Sequence, residues 1–287
     1  MHRPVYMLAI DHRWQWEEWC DAHGVERHRI PEVKRLAAEA FLLARGRSQS
    51  VRRSGALLVD LTYGRTAYDR AREAGAVTGT PAERAGAFPL EWTAPFDAAL
   101  PGDFVKVLVR HRSDIPTDLV ASQRAQLLDL QRWCSGAGRP LVLEVLVSPA
   151  AGEEPGFDAE GRPRLLAAYI RDAYRDGLVP QYWKIEGMPD AAAVAVVDEA
   201  IREAEGPLQL ILGKGAGMDA VRGWFAAASG APTAAGFAIG RTVYFDAAGD
   251  WLLGRAGRED AITRIADTYE QVIACWEAAR PEGAPPA

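Results

Sequence analysis

Lysine is nearly absent from this 287-residue chain: of 33 basic residues, four are Lys (34, 106, 184 and 214) and the rest are Arg. Cysteine is scarcer, with Cys20, Cys134 and Cys275 far apart and odd in number. They form no CxxC and no Cys/His cluster, which excludes a disulfide framework and a structural zinc site and leaves free thiols as the expectation. The five histidines (His2, His12, His23, His28, His111) make no HxH or HExxH pair. No metal and no cofactor are therefore expected, although carboxylates alone can hold Mg²⁺. Long hydrophobic runs are missing too: nothing approaches the ~20 apolar residues that span a bilayer. The stretch before Asp11 is too short for a signal-peptide core and reads as a first strand. A cytoplasmic protein without a membrane partner is the expectation. Excess positive charge is also lacking, since the net charge is −6, which speaks against non-specific nucleic-acid binding.

What is present is an alternation. Apolar residues make up 48% and charged residues 25%, ordinary for a globular chain. Short apolar runs read as strands over 5–10, 56–60, 87–91, 104–109, 141–146, 182–186, 208–212 and 236–239. Helical spacing reads over 30–45, 119–133, 164–176, 190–205, 218–228 and 260–279. Eight mostly apolar strands, most followed by a helix, predict an α/β chain folded as a single (β/α)8 TIM barrel. An open dinucleotide-binding sheet would carry GxGxxG after the first strand, where this chain has DHRWQW. The barrel is expected over 1–280, with a long polar loop over 148–163 and a disordered tail over 281–287. The Trp14, Trp16 and Trp19 cluster reads as helix packing.

Chemistry is expected at the carboxyl ends of the strands. Asp11, Asp60 and Glu91 close the first three; Lys106, Glu144, Lys184 and Glu186 lie in the next three; Gly213, Lys214, Gly215 and then Gly240, Arg241 follow the last two. A Lys in an apolar strand is costly unless paired or deprotonated. Unlike Arg, it can lose its proton and attack a carbonyl. Lys184, between Trp183 and Ile185, reads as such an amine, with Lys106 supplying a second charge that favours its neutral form. The alternative for both is a buried ion pair with Glu144 or Glu186. Glu144, amid Leu143, Val145 and Leu146, is expected to have a raised pKa suited to general acid–base work. Asp11 and Asp60 read as groups that orient substrate hydroxyls or hold a lysine, with a turn cap equally open for Asp60. The glycine-rich turn at 213–215, with Gly240 and Arg241, reads as an anion site. Lys34, in a helix among Glu and Arg, reads as a surface charge.

The series IDHR, DLTYG, VKVLVRH, LEVLVSP, YWKIE, LILGKG and IGRTVY resembles, in order, the class I aldolases of the tagatose-bisphosphate kind. It is more similar still to the aldolase-like domain fused to 5-dehydro-2-deoxygluconokinase in inositol catabolism. The resemblance implies a metal-independent aldolase of carbohydrate metabolism. Such an enzyme cleaves a phosphorylated keto sugar or keto sugar acid, such as 6-phospho-5-dehydro-2-deoxygluconate, to dihydroxyacetone phosphate and an aldehyde. It places the Schiff-base lysine at Lys184, a second active-site lysine at Lys106, the acid/base at Glu144, the first-strand aspartate at Asp11 and phosphate-binding loops at Gly213, Lys214, Gly215, Gly240 and Arg241. Two departures stand out: Asp11-His12-Arg13-Trp14 where tagatose-bisphosphate aldolases have Asp-Gln-Arg-Gly, and Gly213-Lys214-Gly215 where they have Ser-Ala-Gly. The implied partner is a phosphorylated sugar, and a homo-oligomer is compatible with the sequence. A non-catalytic sugar-phosphate-binding barrel is a second reading. A glycosidase or lyase using carboxylates such as Asp60 with Glu186 is a third, decided by their separation.

Overall fold

The computed structural model describes residues 4–96 and 100–280; the tail expected over 281–287 lies outside them. Eight parallel strands close into a barrel in chain order. They are β1 (Val5–Ala9), β2 (Gly55–Leu58), β3 (Val77–Pro81), β4 (Phe104–His111), β5 (Leu141–Val147), β6 (Tyr182–Glu186), β7 (Leu208–Leu212) and β8 (Ala234–Ile239). Around them pack α1 (Trp14–His23), α2 (Ile30–Arg47), α3 (Gln49–Ser54), α4 (Arg65–Glu73), α5 (Thr117–Gly136), α6 (Arg162–Arg175), α7 (Ala191–Ile201), α8 (Met218–Ala228), α9 (Arg241–Leu252) and α10 (Arg258–Ala279). The architecture is a (β/α)8 barrel. Among the described residues no helix is long and apolar enough to cross a membrane.

Strand alternation divides the core in two. Met7, Ala9, Ala56, Leu58, Phe104, Val142, Leu210 and Ala238 fill the barrel interior. The residues between them, among them Leu8, Ile10, Leu57, Val105, Leu143, Trp183, Ile211 and Phe237, face the helices. This parity decides where the ionisable residues go. Asp11, Lys106, Glu144 and Lys184 share the parity of the interior set and stack above it at the carboxyl-terminal mouth.

The third strand differs from the sequence reading. It is Val77–Pro81, not 87–91. The β-branched run Val77, Thr78 and Thr80 forms it, pairing Gly79 with Phe104 and Pro81 with Lys106. Residues 87–91 belong to the β3–β4 connection, where Glu83 and Trp92 make an isolated antiparallel bridge. Glu91 is consequently exposed and paired with Arg84 at 2.7 Å rather than closing a strand. The loop expected over 148–163 contains a short π-helical turn, Phe157–Gly161, ahead of α6.

Lys34 is the larger surprise. It is fully buried in α2, with Nζ 2.8 Å from Asp60 Oδ2. The same ammonium donates to the carbonyls of Ile10 at 2.5 Å and His12 at 2.6 Å. A buried ammonium is tolerated only with such full pairing. Asp60 also accepts from Tyr63 N at 2.8 Å. The Lys34–Asp60 pair thereby pins the end of β1 against the end of β2.

Candidate active site

Five strands or the turns just past them deliver one buried charge cluster. Lys106 on β4 lies at its centre, with Nζ 3.1 Å from Asp11 Oδ2, 2.8 Å from Glu83 Oε1 and 2.9 Å from Glu144 Oε2. Lys184 on β6 donates to the same Glu144 oxygen at 3.0 Å. The β5–β6 register sets Glu144 directly beside Lys184. Arg13, just past β1, donates to the Glu83 carbonyl at 3.1 Å, and its guanidinium meets Glu83 Oε1 at 3.4 Å. The other Glu83 oxygen accepts from Leu108 N at 3.2 Å. Three carboxylates therefore face three cations, a balance that makes so much buried charge tenable.

The protonation states follow from this crowding. Burial works against the Lys106 cation, but Asp11, Glu144 and Glu83 more than offset it and raise its proton affinity above that of ordinary lysine. Burial would likewise raise the Asp11 carboxyl, yet Lys106 and Lys184 hold it well below the usual range. Glu144 is a correction to the sequence reading. Its apolar neighbours and burial push upward, as anticipated, but Lys106 and Lys184 prevail and lower its pKa. Lys106 is thus a fixed cation and Glu144 a resting carboxylate.

Both depressed carboxyls tie stability to pH. Their ordinary values are 3.8 for Asp11 and 4.5 for Glu144, and both are lower in the folded chain. The stabilisation is fully present above the unfolded values and is lost as pH falls from there toward the folded ones. Asp11→Asn should flatten this acid limb. Urea midpoints measured between about pH 3 and 6 check it; an unchanged slope would contradict the pairing.

Above the cluster opens a cavity of about 280 Å³, lined by Asp11, Glu83, Lys106, Glu144 and Lys184 at its floor and by Trp14, Arg84 and Arg110 on its β1–β4 side. His12, Gly213, Lys214, Gly215, Gly240 and Arg241 line the opposite side. There the chain turns sharply, with Lys214 at φ 48° and Gly215 at φ 80°. The Arg241 guanidinium donates to the Lys214 carbonyl at 2.7 Å. Gly240 precedes α9 so closely packed that a Cβ would lie 1.9 Å from the Ala9 carbonyl oxygen; only glycine brings this helix start to the cavity wall.

Of the residues expected at the site from sequence, Asp11, Lys106, Glu144, Lys184, Gly213, Lys214, Gly215, Gly240 and Arg241 all line this cavity. Asp60 does not; it is consumed by Lys34. The Lys214 ammonium points to Glu186, 2.5 Å away. Glu186 also stands 3.8 Å from Arg162. Neither Asp60 nor Glu186 reaches the cavity, which removes the basis for pairing them as glycosidase carboxylates. Of the aromatic trio, Trp16 is core, while Trp14 is half-exposed at the cavity mouth.

Sequence reasoning missed Glu83, Arg13 and His12. Glu83 was hidden by the misplaced third strand; with β3 ending at Pro81, it is the first ionisable residue past the strand. Arg13 and His12 sit beside Asp11 in the DHRW segment, where only parity separates the residues at the floor from those at the wall.

Solved structures share this architecture. One is described as a Schiff-base-forming fructose-1,6-bisphosphate aldolase studied through its reaction intermediates, with TM-score 0.57, 17% identity and 94% of each chain covered. Another is a protein of Corynebacterium glutamicum (Brevibacterium flavum), with TM-score 0.58, 15% identity, and 94% of this chain and 85% of that one covered. At these identities the likeness is one of fold. No curated protein matches the chain. A family model described as an uncharacterized protein conserved in bacteria matches residues 2–280, and the chain therefore belongs to that family, DUF2090.

Proposed function

We propose that the protein is a metal-independent class I aldolase that forms a Schiff base through Lys184. The observation that carries this reading is the unequal placement of two lysines around one carboxylate oxygen. Lys106 is held as a cation by Asp11, Glu83 and Glu144, whereas among the described residues Lys184 meets Glu144 alone at the cavity floor. Lys106 is therefore the charge and Lys184 the nucleophile. Glu144 is placed to take a proton from the Lys184 ammonium, freeing the amine to add to a keto carbon. Glu144 returns that proton to the carbinolamine hydroxyl, which leaves as water and gives the iminium. The Glu144 carboxylate then removes the proton from the hydroxyl on the far carbon of the bond to be cleaved. The carbon–carbon bond breaks, its electron pair passes to the iminium as an enamine, and the aldehyde leaves. Reprotonation of the enamine carbon and hydrolysis return the ketone and free Lys184.

For the substrate we propose a phosphorylated keto sugar or keto sugar acid, such as 6-phospho-5-dehydro-2-deoxygluconate, yielding dihydroxyacetone phosphate. Arg241 and the backbone at Gly213, Gly215 and Gly240 are the anion contacts in this reading, with the α9 start favouring negative charge. Incubation with dihydroxyacetone phosphate and borohydride should add the mass of the reduced three-carbon adduct; an unchanged intact mass would end the proposal. Arg241→Ala should raise the dihydroxyacetone phosphate concentration for half-maximal trapping roughly 10- to 100-fold, the scale of a charged hydrogen bond. No change there would remove Arg241 from the anion site.

A further inference from the structure

His12 lines the cavity, and its ring hydrogen bonding leads away from the charge cluster to the buried Tyr244. We propose that His12 is a hydrogen-bond donor to the substrate, held as the neutral Nε2–H tautomer by a buried relay that runs from Trp16 through Tyr244.

The relay has a single direction. An indole N–H can only donate, and Trp16 Nε1 donates to the Tyr244 hydroxyl at 3.0 Å. Tyr244 is wholly buried, so its own proton needs an acceptor. Among the described residues the acceptor in reach is His12 Nδ1, at 3.2 Å. Nδ1 therefore accepts, and the imidazole proton resides on Nε2. The ring has little freedom to turn. The His12 carbonyl is tied to Lys34 at 2.6 Å, and Cε1 lies so near Gly240 that a Cβ there would sit 2.6 Å from it. The aromatic rings of Tyr244 and Phe245 stand 6.0 and 5.9 Å away, centre to centre.

Charge placement also keeps the ring neutral. Protonating it would put a second hydrogen between Nδ1 and the tyrosine hydroxyl. Burial disfavours the cation most; Lys34 from α2, Arg241 from α9 and Lys184 from β6 add to that, and Asp11 from β1 alone favours it. The outcome is an imidazole that does not gain charge near neutrality. A neutral, fixed donor stabilises an oxygen that becomes negative during reaction without handing over a proton. The oxygen it would meet belongs to the keto carbon attacked by Lys184 or to the hydroxyl beside it. That substrate role rests on the aldolase reading; the tautomer does not.

Long-range ¹H–¹⁵N spectra of the full chain labelled in histidine test the tautomer. One imidazole, assigned by its loss in His12→Gln, should keep Nε2–H and a bare Nδ1 from about pH 5 to 9. Tyr244→Phe should release it to mixed tautomers or to titration in that range. A wild-type Nδ1–H form, or an imidazolium at pH 6–7, overturns the proposal. In borohydride trapping at saturating dihydroxyacetone phosphate, His12→Leu should slow adduct formation roughly 100-fold with little change in half-saturation. His12→Gln, which retains an N–H donor, should recover part of the rate. Wild-type rates in His12→Leu overturn the donor role. If the wild type itself forms no adduct, the aldolase reading fails. The donor role is then decided by titrating dihydroxyacetone phosphate into the labelled wild type, where an unmoved Nε2–H resonance overturns it.

Discussion

Lys184→Ala should form no borohydride-stable adduct with dihydroxyacetone phosphate, and aldol cleavage should fall on the order of 10⁴- to 10⁶-fold, as when a covalent nucleophile is removed. Lys184→Arg should fail equally, because a guanidinium stays protonated and cannot add to a carbonyl. Lys106→Met is the informative contrast. It leaves Asp11, Glu83 and Glu144 facing one another without the cation that separates them. The Asp11 and Glu144 carboxyls should then hold protons at higher pH, and any remaining trapping at Lys184 should shift along the pH axis. Peptide mapping of the reduced adduct separates the two lysines. An adduct persisting in Lys184→Ala, or mapped to Lys106, would sink the assignment.

The largest stability effect is expected far from the chemistry, at Lys34. Lys34→Met should cost about 3–5 kcal/mol, because it strands Asp60 as a buried, unpaired charge. For a chain of this size that corresponds to roughly 5–20 °C in Tm. The double variant Lys34→Met, Asp60→Leu should recover most of the loss, since an apolar pair of similar volume removes the stranded charge. Urea unfolding of the three proteins measures this directly. A loss below about 1 kcal/mol in the single variant would mean that Asp60 is not left as a buried, unpaired charge. Because Lys34 also holds the carbonyls of Ile10 and His12, the double variant should keep its stability yet loosen the segment that carries Asp11 and His12.

Seven of the eight strands were legible because each is a mostly apolar run, the pattern of strands covered on both faces. The third was not, because Val77–Pro81 carries Thr, Gly and Pro in place of an apolar run, so its pairing comes from its neighbours rather than from its own hydrophobicity. Lys34 was misread although the signal was available: it falls on the helical face of Ile30, Ala38 and Phe41, all buried in α2. Its charged chain neighbours Glu32 and Arg35 drew attention instead of that periodicity. Lys106, Glu144 and Lys184 were legible as improbable charges in apolar strands. The sense of the Glu144 shift was not, since it depends on both lysines lying within 3.0 Å of the same oxygen, a distance that no spacing encodes. Glu83 enters the cluster only through the true end of β3.

The barrel closes by pairing β1 with β8. The seam is tight: at Gly236 a Cβ would lie 1.9 Å from the Val5 carbonyl oxygen. It is tied again by the Tyr269 hydroxyl on the Tyr6 carbonyl, 263 positions apart in sequence. The first strand can pair with β2 early, but its second edge is closed only by β8, and bringing such distant segments together is the slow, entropically costly part of folding. Asp11 rides on that strand. On a nascent chain Lys106 and Lys184 emerge well before Asp11 has a closed barrel wall to occupy, so the charge-balanced floor matures at the moment of closure, and chemical competence arrives together with the last tertiary contacts.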